Sequence, residues 1–236
     1  MSWRDFWDGD TPIYVNERHK LLHYRIVARG IIDAIAEFGG GAGAEPPVVL
    51  DHGCGEALSA DEVAAHCGHL YLCDAGASVR AKLAARFAEA RNISVVSPVE
   101  VADIPQGSVD LVVANSLLQY LTPAEFAGLL RLWRGALKPN GGLLLADVLP
   151  KDLSPLTDAL ALLRFGAQGG FLVAALGGLA RTAMSDYRKL RAELGLATYD
   201  EAGMISLLRE AGFEARLRRP NLGHNQARLS FLARPT

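Results

Sequence analysis

Residues 48–57 read Val48-Val49-Leu50-Asp51-His52-Gly53-Cys54-Gly55-Glu56-Ala57, and the fold turns on how this stretch is read. A short apolar run ends in an acid and passes at once into two glycines around a cysteine. This is the pattern of a buried strand delivering the chain into a tight turn. A helix is expected next, because Ser59 and Glu62 stand at capping-box spacing, where a hydroxyl and a carboxylate satisfy two free backbone N–H groups. Glycine puts no side chain in the way, so backbone at such a turn can approach a ligand closely. On its own the turn reads equally well as punctuation after a strand.

Downstream, His69 to Cys73 reads as a second short strand ending in Asp74, at about the interval over which a βαβ unit returns the chain to the same sheet edge. A carboxylate there can accept hydrogen bonds from both hydroxyls of a ribose, although a helix-capping role fits an Asp at a strand end as well. A helix over about Ser78 to Arg91 leads to a brief strand at Ile93 to Val96. Val109 to Ala114 is near-continuously apolar, as expected for a strand covered on both faces, and Asn115 and Ser116 follow it. Thr122, Pro123 and Glu125 supply the cap, first-turn proline and returning carboxylate of a helix that KPNGG should stop near Leu137, before a strand at Gly142 to Val148. Strand and helix alternating in this way specify an α/β fold with a doubly wound, Rossmann-like parallel sheet.

Upstream, Leu21, Tyr24, Ala28, Ile31, Ile35 and Phe38 recur at three- and four-residue steps, which argues for an amphipathic helix from Asn16 to Phe38. His19 and His23 share another face at i, i+4, but no third ligand is identifiable and HExxH is absent, so no metal site is expected. Trp3, Phe6, Trp7, Ile13 and Tyr14 make the N-terminal segment too aromatic for a solvated tail. Near the other end, Asp200 to Ala211 reads as a helix closed by Gly212. Glu214 to Leu222 and Ala227 to Leu232 read as strands joined by GHNQ, a hairpin that would put one antiparallel strand into the sheet.

The chain has 236 residues, half of them apolar, enough for a full core in a single domain. A formal net charge of -2 gives no broad electrostatic case for a nucleic-acid partner. Cys54, Cys67 and Cys73 form no CxxC pair, which fits neither a disulfide framework nor a zinc site and suits a reducing compartment. The opening MSWRDFWDGD has no charged-then-apolar signal, so a cytoplasmic protein is expected. Residues 151–198 break the alternation. Between Arg164 and Arg181 runs the uncharged FGAQGGFLVAALGGLA, too short and glycine-rich for a membrane span. Over 153–184 three readings stay open: a helical lid over a ligand cavity, a peripheral membrane contact, or core or oligomer packing.

Over about Val48 to Pro150, and more loosely to Pro235, the chain resembles the class I S-adenosylmethionine-dependent methyltransferases. VVLDHGCGEA resembles their first motif, YLCDAGASV their second, VEVADIPQGSVDLVVANSLLQYL their third-to-fourth motif region and LKPNGGLLLADV their fifth strand. The resemblance implies a seven-stranded sheet with one antiparallel strand near the C-terminus and a helical insertion after the fifth strand. Residues 1–45 would form a helical cap, 46–150 the cofactor-binding core, 151–198 the lid and 199–236 the terminal helix and hairpin. It also implies S-adenosylmethionine as cofactor: Asp51, Gly53, Cys54 and Gly55 at its methionine end, Asp74 and Ala75 at its ribose, Glu100 and Val101 at its adenine, and Asn115 and Ser116 beside the methyl group. The family usually has a glycine where this chain has Ala57; if that position needs a positive φ, the methyl group costs about 1 kcal/mol.

The motifs that accompany nucleic-acid methylation in this family are absent, so a small acceptor, apolar or amphiphilic and methylated at oxygen, is expected in place of nucleic acid. In the family's topology Tyr14, His19, His23 and Tyr24 would close over the site from the N-terminal segment. Tyr187 would reach it from the insertion, and His224 and Asn225 from the terminal hairpin, with His224 as general base for a hydroxyl. Two rivals remain. A nicotinamide-dependent oxidoreductase would use Gly53, Gly55 and Asp74 too, but its third glycine falls on Leu58, whose bulk opposes a phosphate-cradling helix. A non-catalytic cofactor-binding protein of the same shape is the other.

Overall fold

A computed structural model describes residues 14–38, 45–183 and 195–236. The aromatic run from Trp3 to Ile13 and the substrate candidate Tyr187 lie outside those residues. The elements are α1 (Glu17–Phe38), β1 (Val48–His52), α2 (Ala60–Ala64), β2 (His69–Cys73), α3 (Ala77–Arg86), β3 (Ile93–Val96) and β4 (Val109–Asn115). They continue with α4 (Pro123–Ala136), β5 (Leu137–Val148), α5 (Pro155–Gly169), α6 (Leu172–Ala183), α7 (Glu201–Glu210), β6 (Phe213–Arg218) and β7 (Leu229–Pro235). The strands form one seven-stranded sheet in the order β3-β2-β1-β4-β5-β7-β6, parallel except for β7. The expected sheet, its antiparallel strand and the helical insertion after the fifth strand are all present.

Alternating side chains explain why the strands read as continuous apolar runs. Val49, Leu111, Val113 and Leu144 point to one face, where they meet Val27, Ala28, Ile31 and Ile35 of α1 and Val63 of α2. Leu50, Val112, Leu143 and Leu145 point to the other, against Phe126, Leu130 and Trp133 of α4 and Met204 and Leu208 of α7. Both faces are therefore core, and neither can carry the polar half of a two-period pattern. α1 lies close: a Cβ on Gly142 would stand 2.2 Å from the Phe38 ring and one on Gly30 2.7 Å from Leu222, so neither position admits a side chain.

Several local expectations give way. Ser59 makes no side-chain cap, and α2 is a five-residue stub; Glu62 faces Arg25 at 3.9 Å instead, and the long turn before the helix leaves Ser59 out of the extended conformation a cap needs. The capping box at Thr122 and Glu125 is complete. KPNGG ends α4 but does not delay the strand: β5 starts at Leu137, with Lys138 Nζ on Asp110 at 2.8 Å holding the bulged start. The terminal hairpin has no tight GHNQ turn. Its connection is an ordered loop over 219–228 in which the Gln226 amide accepts from Asn221 N–H at 2.9 Å and donates to the carbonyls of Asn221 and Gly223.

Candidate functional site

The C-terminal ends of β1, β2 and β4 meet at the glycine turn. Gly53 and Gly55 have φ of 83° and 58°, and both turn N–H groups of Gly53 and Cys54 donate to Cys73 O, at 2.7 and 3.0 Å. Asp74 holds the two edges together: its carboxylate accepts from Gly55 N–H at 3.0 Å and from Gly76 N–H at 2.8 Å. Ala57 has φ of 40°, so the position where a glycine was missing does need the left-handed region, and the alanine methyl is strained there. From α1, the Tyr24 hydroxyl accepts from Glu56 N–H at 3.0 Å and would stand 2.9 Å from a Cβ on Gly55; Lys20 pairs with the Glu56 carboxylate at 2.7 Å.

A cavity of about 40 Å³ opens beside this turn, lined among others by His23, Tyr24, Asp51, Gly53, Ala57 and Asn115. Burial, and then the charge of Asp74, push the Asp51 carboxyl up to about 7. Asn115 Oδ1 is buried with no hydrogen-bond partner among the described residues. An orphaned acceptor beside a carboxyl that resists ionising is a site lacking a donor and a positive charge. The amino acid end of S-adenosylmethionine carries both, so the residues fit that group. Cys54 lines the same cavity, its thiol raised by burial and by the two acids. Farther along the edge, Glu100 is exposed and its carboxylate accepts from Ser97 N–H at 2.7 Å, while Val101 behind it is buried. Ala75 sits between Asp74 and the start of α3, and its carbonyl accepts from Arg80 at 2.8 Å.

Beyond Asn115, at the ends of β4 and β5, lies a network built from side chains. At the end of β5, one residue too many faces β7, since Leu145 pairs with Phe231 and Val148 with Leu229. The resulting bulge puts Asp147 at φ 55°, as Ser116 is at 53° just past β4. Its carboxylate then accepts from the Ser116 hydroxyl, from Asn221 Nδ2 at 3.0 Å and from Arg228 Nη1 at 2.6 Å. Burial pushes the Asp147 carboxyl up, but Arg228, Ser116 and Asn221 outweigh it and hold it below the usual range. Arg228 also reaches Asp158 of α5 at 3.2 Å.

Tyr14, His19, His23, Tyr24 and His224 come together beside this network. His23 lies 5.5 Å from Tyr14, 5.6 Å from Tyr24 and 6.4 Å from His224 by ring centroids. Two phenylalanines of the insertion stack on the cluster, Phe171 on His19 at 5.1 Å and Phe165 on His224 at 4.8 Å. Burial lowers all three imidazoles: His19 and His23 to about 4, with Asp147 opposing the shift at His23, and His224 likewise downward. Burial also raises the phenols, Tyr24 to about 12.

His23 lines the cavity; His224 is a neighbour behind it, with a buried Nδ1 that has no partner among the described residues. Asn225 does not face an acceptor as expected: its Nδ2 donates to Asp158 at 2.6 Å and its Oδ1 accepts from Ala227 N–H, so it is a strut between loop and α5. Reasoning from sequence missed Asp147, Asp158, Phe165, Phe171, Arg228 and Gln119, whose Oε1 is a further buried orphan. Only Asp147, an acid inside the apolar run LLLADV, carried a readable signal. Among the described residues no group of three or more His, Cys, Asp or Glu could hold a metal ion.

The model of a methyltransferase domain family matches residues 49–141. None of the curated proteins matches the chain. Solved structures with the same fold include the 1,6-didemethyltoxoflavin-N1-methyltransferase of Burkholderia thailandensis, 18% identical, TM-score 0.56, over 89% of this chain and 78% of that one. The magnesium protoporphyrin IX methyltransferase of Synechocystis PCC 6803, with S-adenosylhomocysteine bound, is 18% identical at TM-score 0.55 over 98% and 92%. Human N-acetylserotonin methyltransferase, in complex with S-adenosylmethionine, is 17% identical at 0.56 over 90%; this chain spans about half of it, 52%.

Proposed function

We propose that this protein, an S-adenosylmethionine-dependent methyltransferase of the class I fold, methylates a small amphiphilic acceptor at oxygen, in a cytoplasmic setting. The bound cofactor supplies an activated methyl carbon, and the chain's task is to align the acceptor and exclude water. With the cofactor bound, Asp51 and Asn115 would accept from its ammonium, and Asp74 from its ribose hydroxyls. Tyr24 closes over the glycine turn, which keeps water from the methionine end.

One observation carries the acceptor reading: a half-buried imidazole, His23, shares a cavity with Asp51 and Asn115 and meets His224, which stacks with His19 and two phenylalanines into one cluster. Methylating a hydroxyl releases a proton. An imidazole lowered to about 4 is neutral at pH 7, so a His23 ring nitrogen can take that proton, with the ionised Asp147 favouring the imidazolium that results. His224 orients the His23 ring and the acceptor. The apolar, aromatic walls favour a compact organic acceptor over a polymer, and the neighbours named for didemethyltoxoflavin, protoporphyrin and N-acetylserotonin support a small molecule.

Turnover with a panel of hydroxylated amphiphiles, read by mass spectrometry of the methylated product, tests this. His23→Ala should lower kcat by about a hundredfold while S-adenosylmethionine affinity stays within about twofold. Since the His23 imidazole is already neutral, the rate at saturating S-adenosylmethionine should be flat from pH 6 to 8. A variant with the wild-type rate, or a product methylated at nitrogen or carbon, overturns the assignment.

A further inference from the structure

We infer that the α5–α6 hairpin is a docking face for an anionic phospholipid membrane, and that the groove at its corner takes an acyl chain. Each helix leaves one apolar stripe uncovered. On α5 it is Leu156, Leu160 and Ala167, and on α6 Leu172, Val173 and Leu176; Leu156 is 68% exposed, Val173 84% and Leu176 54%. The stripes meet on one side of the hairpin, because Ala167 lines the same groove as Leu172 and Val173. That groove, about 680 Å³, is lined by Gly166, Ala167, Gly170, Phe171, Leu172, Val173 and Ala174, with Asn16 its one polar member. Gly166 and Gly178 let the hairpin pack tightly, against Ala175 and Val15, so the large residues are left for the outer side.

Charge selects the partner. From residue 159 to residue 183 the chain holds no acid, and its only charges are Arg164 and Arg181, both exposed, in a protein whose formal net charge is -2. Arg18 stands at the same corner, its Nε on Gly169 O, with the acid Glu17 next to it in the chain. Apolar side chains flanked by arginines match a bilayer interface with anionic headgroups, where each basic residue adds about fivefold to partitioning. No helix among the described residues is long and apolar enough to cross a membrane, so the contact is peripheral. The groove also leads inward. Phe171 forms part of its wall and stacks on His19, so a chain lying in it ends one ring away from the histidine cluster. An amphiphilic acceptor resident in the bilayer would reach the site along this path.

Co-sedimentation of the whole protein with phosphatidylcholine vesicles, with and without about a third phosphatidylglycerol, tests the face independently of methyl transfer. Binding to the anionic vesicles is expected, weakened by high salt. Val173→Asp or Leu176→Asp should reduce it about tenfold or more, and Arg164→Gln and Arg181→Gln about fivefold each. S-adenosylmethionine affinity, measured by calorimetry on each variant, should stay unchanged and certifies the fold. Absence of binding to the anionic vesicles, or binding that these variants leave intact, overturns the proposal. So does a dimer in lipid-free solution that Val173→Asp turns into a monomer, which would assign the face to a second copy.

Discussion

The glycine turn and the side-chain network at the ends of β4 and β5 are made differently. The cofactor side is backbone: two glycines at positive φ, N–H groups on Cys73 O, and one carboxylate, Asp74, bridging positions nineteen residues apart or fewer. The network is side chains from β5, α5 and the 219–228 loop, joined by contacts such as Arg228 to Asp147, separated by 81 residues. A backbone cradle tolerates change in its surroundings because few side chains define it. A network of buried charges fails as a unit when one member is removed.

The largest expected effect tests that contrast. Asp147→Ala strands the Arg228 guanidinium in a buried setting with Asp158 as its remaining acid, and should destabilise the fold by about 3–5 kcal/mol in urea denaturation. A loss below about 1 kcal/mol would mean that the network is solvated and the two regions do not differ. On the cofactor side, Asp74→Ala should weaken S-adenosylmethionine binding about ten- to a hundredfold by calorimetry, since charge-assisted hydrogen bonds contribute roughly 1.5–3 kcal/mol. Unchanged affinity in a folded variant would remove Asp74 from the ribose.

Acidification should act next. The Asp51 carboxyl sits at about 7 in the folded protein, above its unfolded value of 3.8, so its raised pKa takes away stability as pH rises between the two. A cationic ligand favours the ionised form. Affinity should therefore fall on acidification below about pH 7, level off above it, and lose this dependence in Asp51→Asn, all measurable by titration at fixed ionic strength. Smallest is Ala57→Gly. Relieving the alanine at φ 40° should stabilise the folded protein by about 1 kcal/mol in urea denaturation, the cost of that conformation; a less stable variant would mean that the methyl group packs usefully against α2.

Tyr24 shows where sequence reading stops. Its spacing with Ala28 and Ile31 identifies the inner face of a helix, but nothing in that spacing says its hydroxyl will rest on Glu56 N–H, thirty-two residues later. Asp147 is comparable. An acid in an apolar strand is visible in the chain, yet its aim depends on a bulge that β7 imposes from more than eighty residues away.

By itself the sequence determined the alternation of strands and helices and the glycine turn with its carboxylate, whereas the positive φ of Ala57 came from the structure. Those features rest on periodicity, on steric limits at single residues and on hydrogen bonds between close neighbours, all of which are properties of short stretches. Only the tertiary structure decided that His23 lines the cavity beside the glycine turn while His224 does not, that Asn225 is a strut, and that the insertion stacks Phe165 and Phe171 on the histidine cluster. The reason is geometric: one sheet edge gathers the ends of distant elements, and which side chains meet there is set by sheet order, bulges and helix packing.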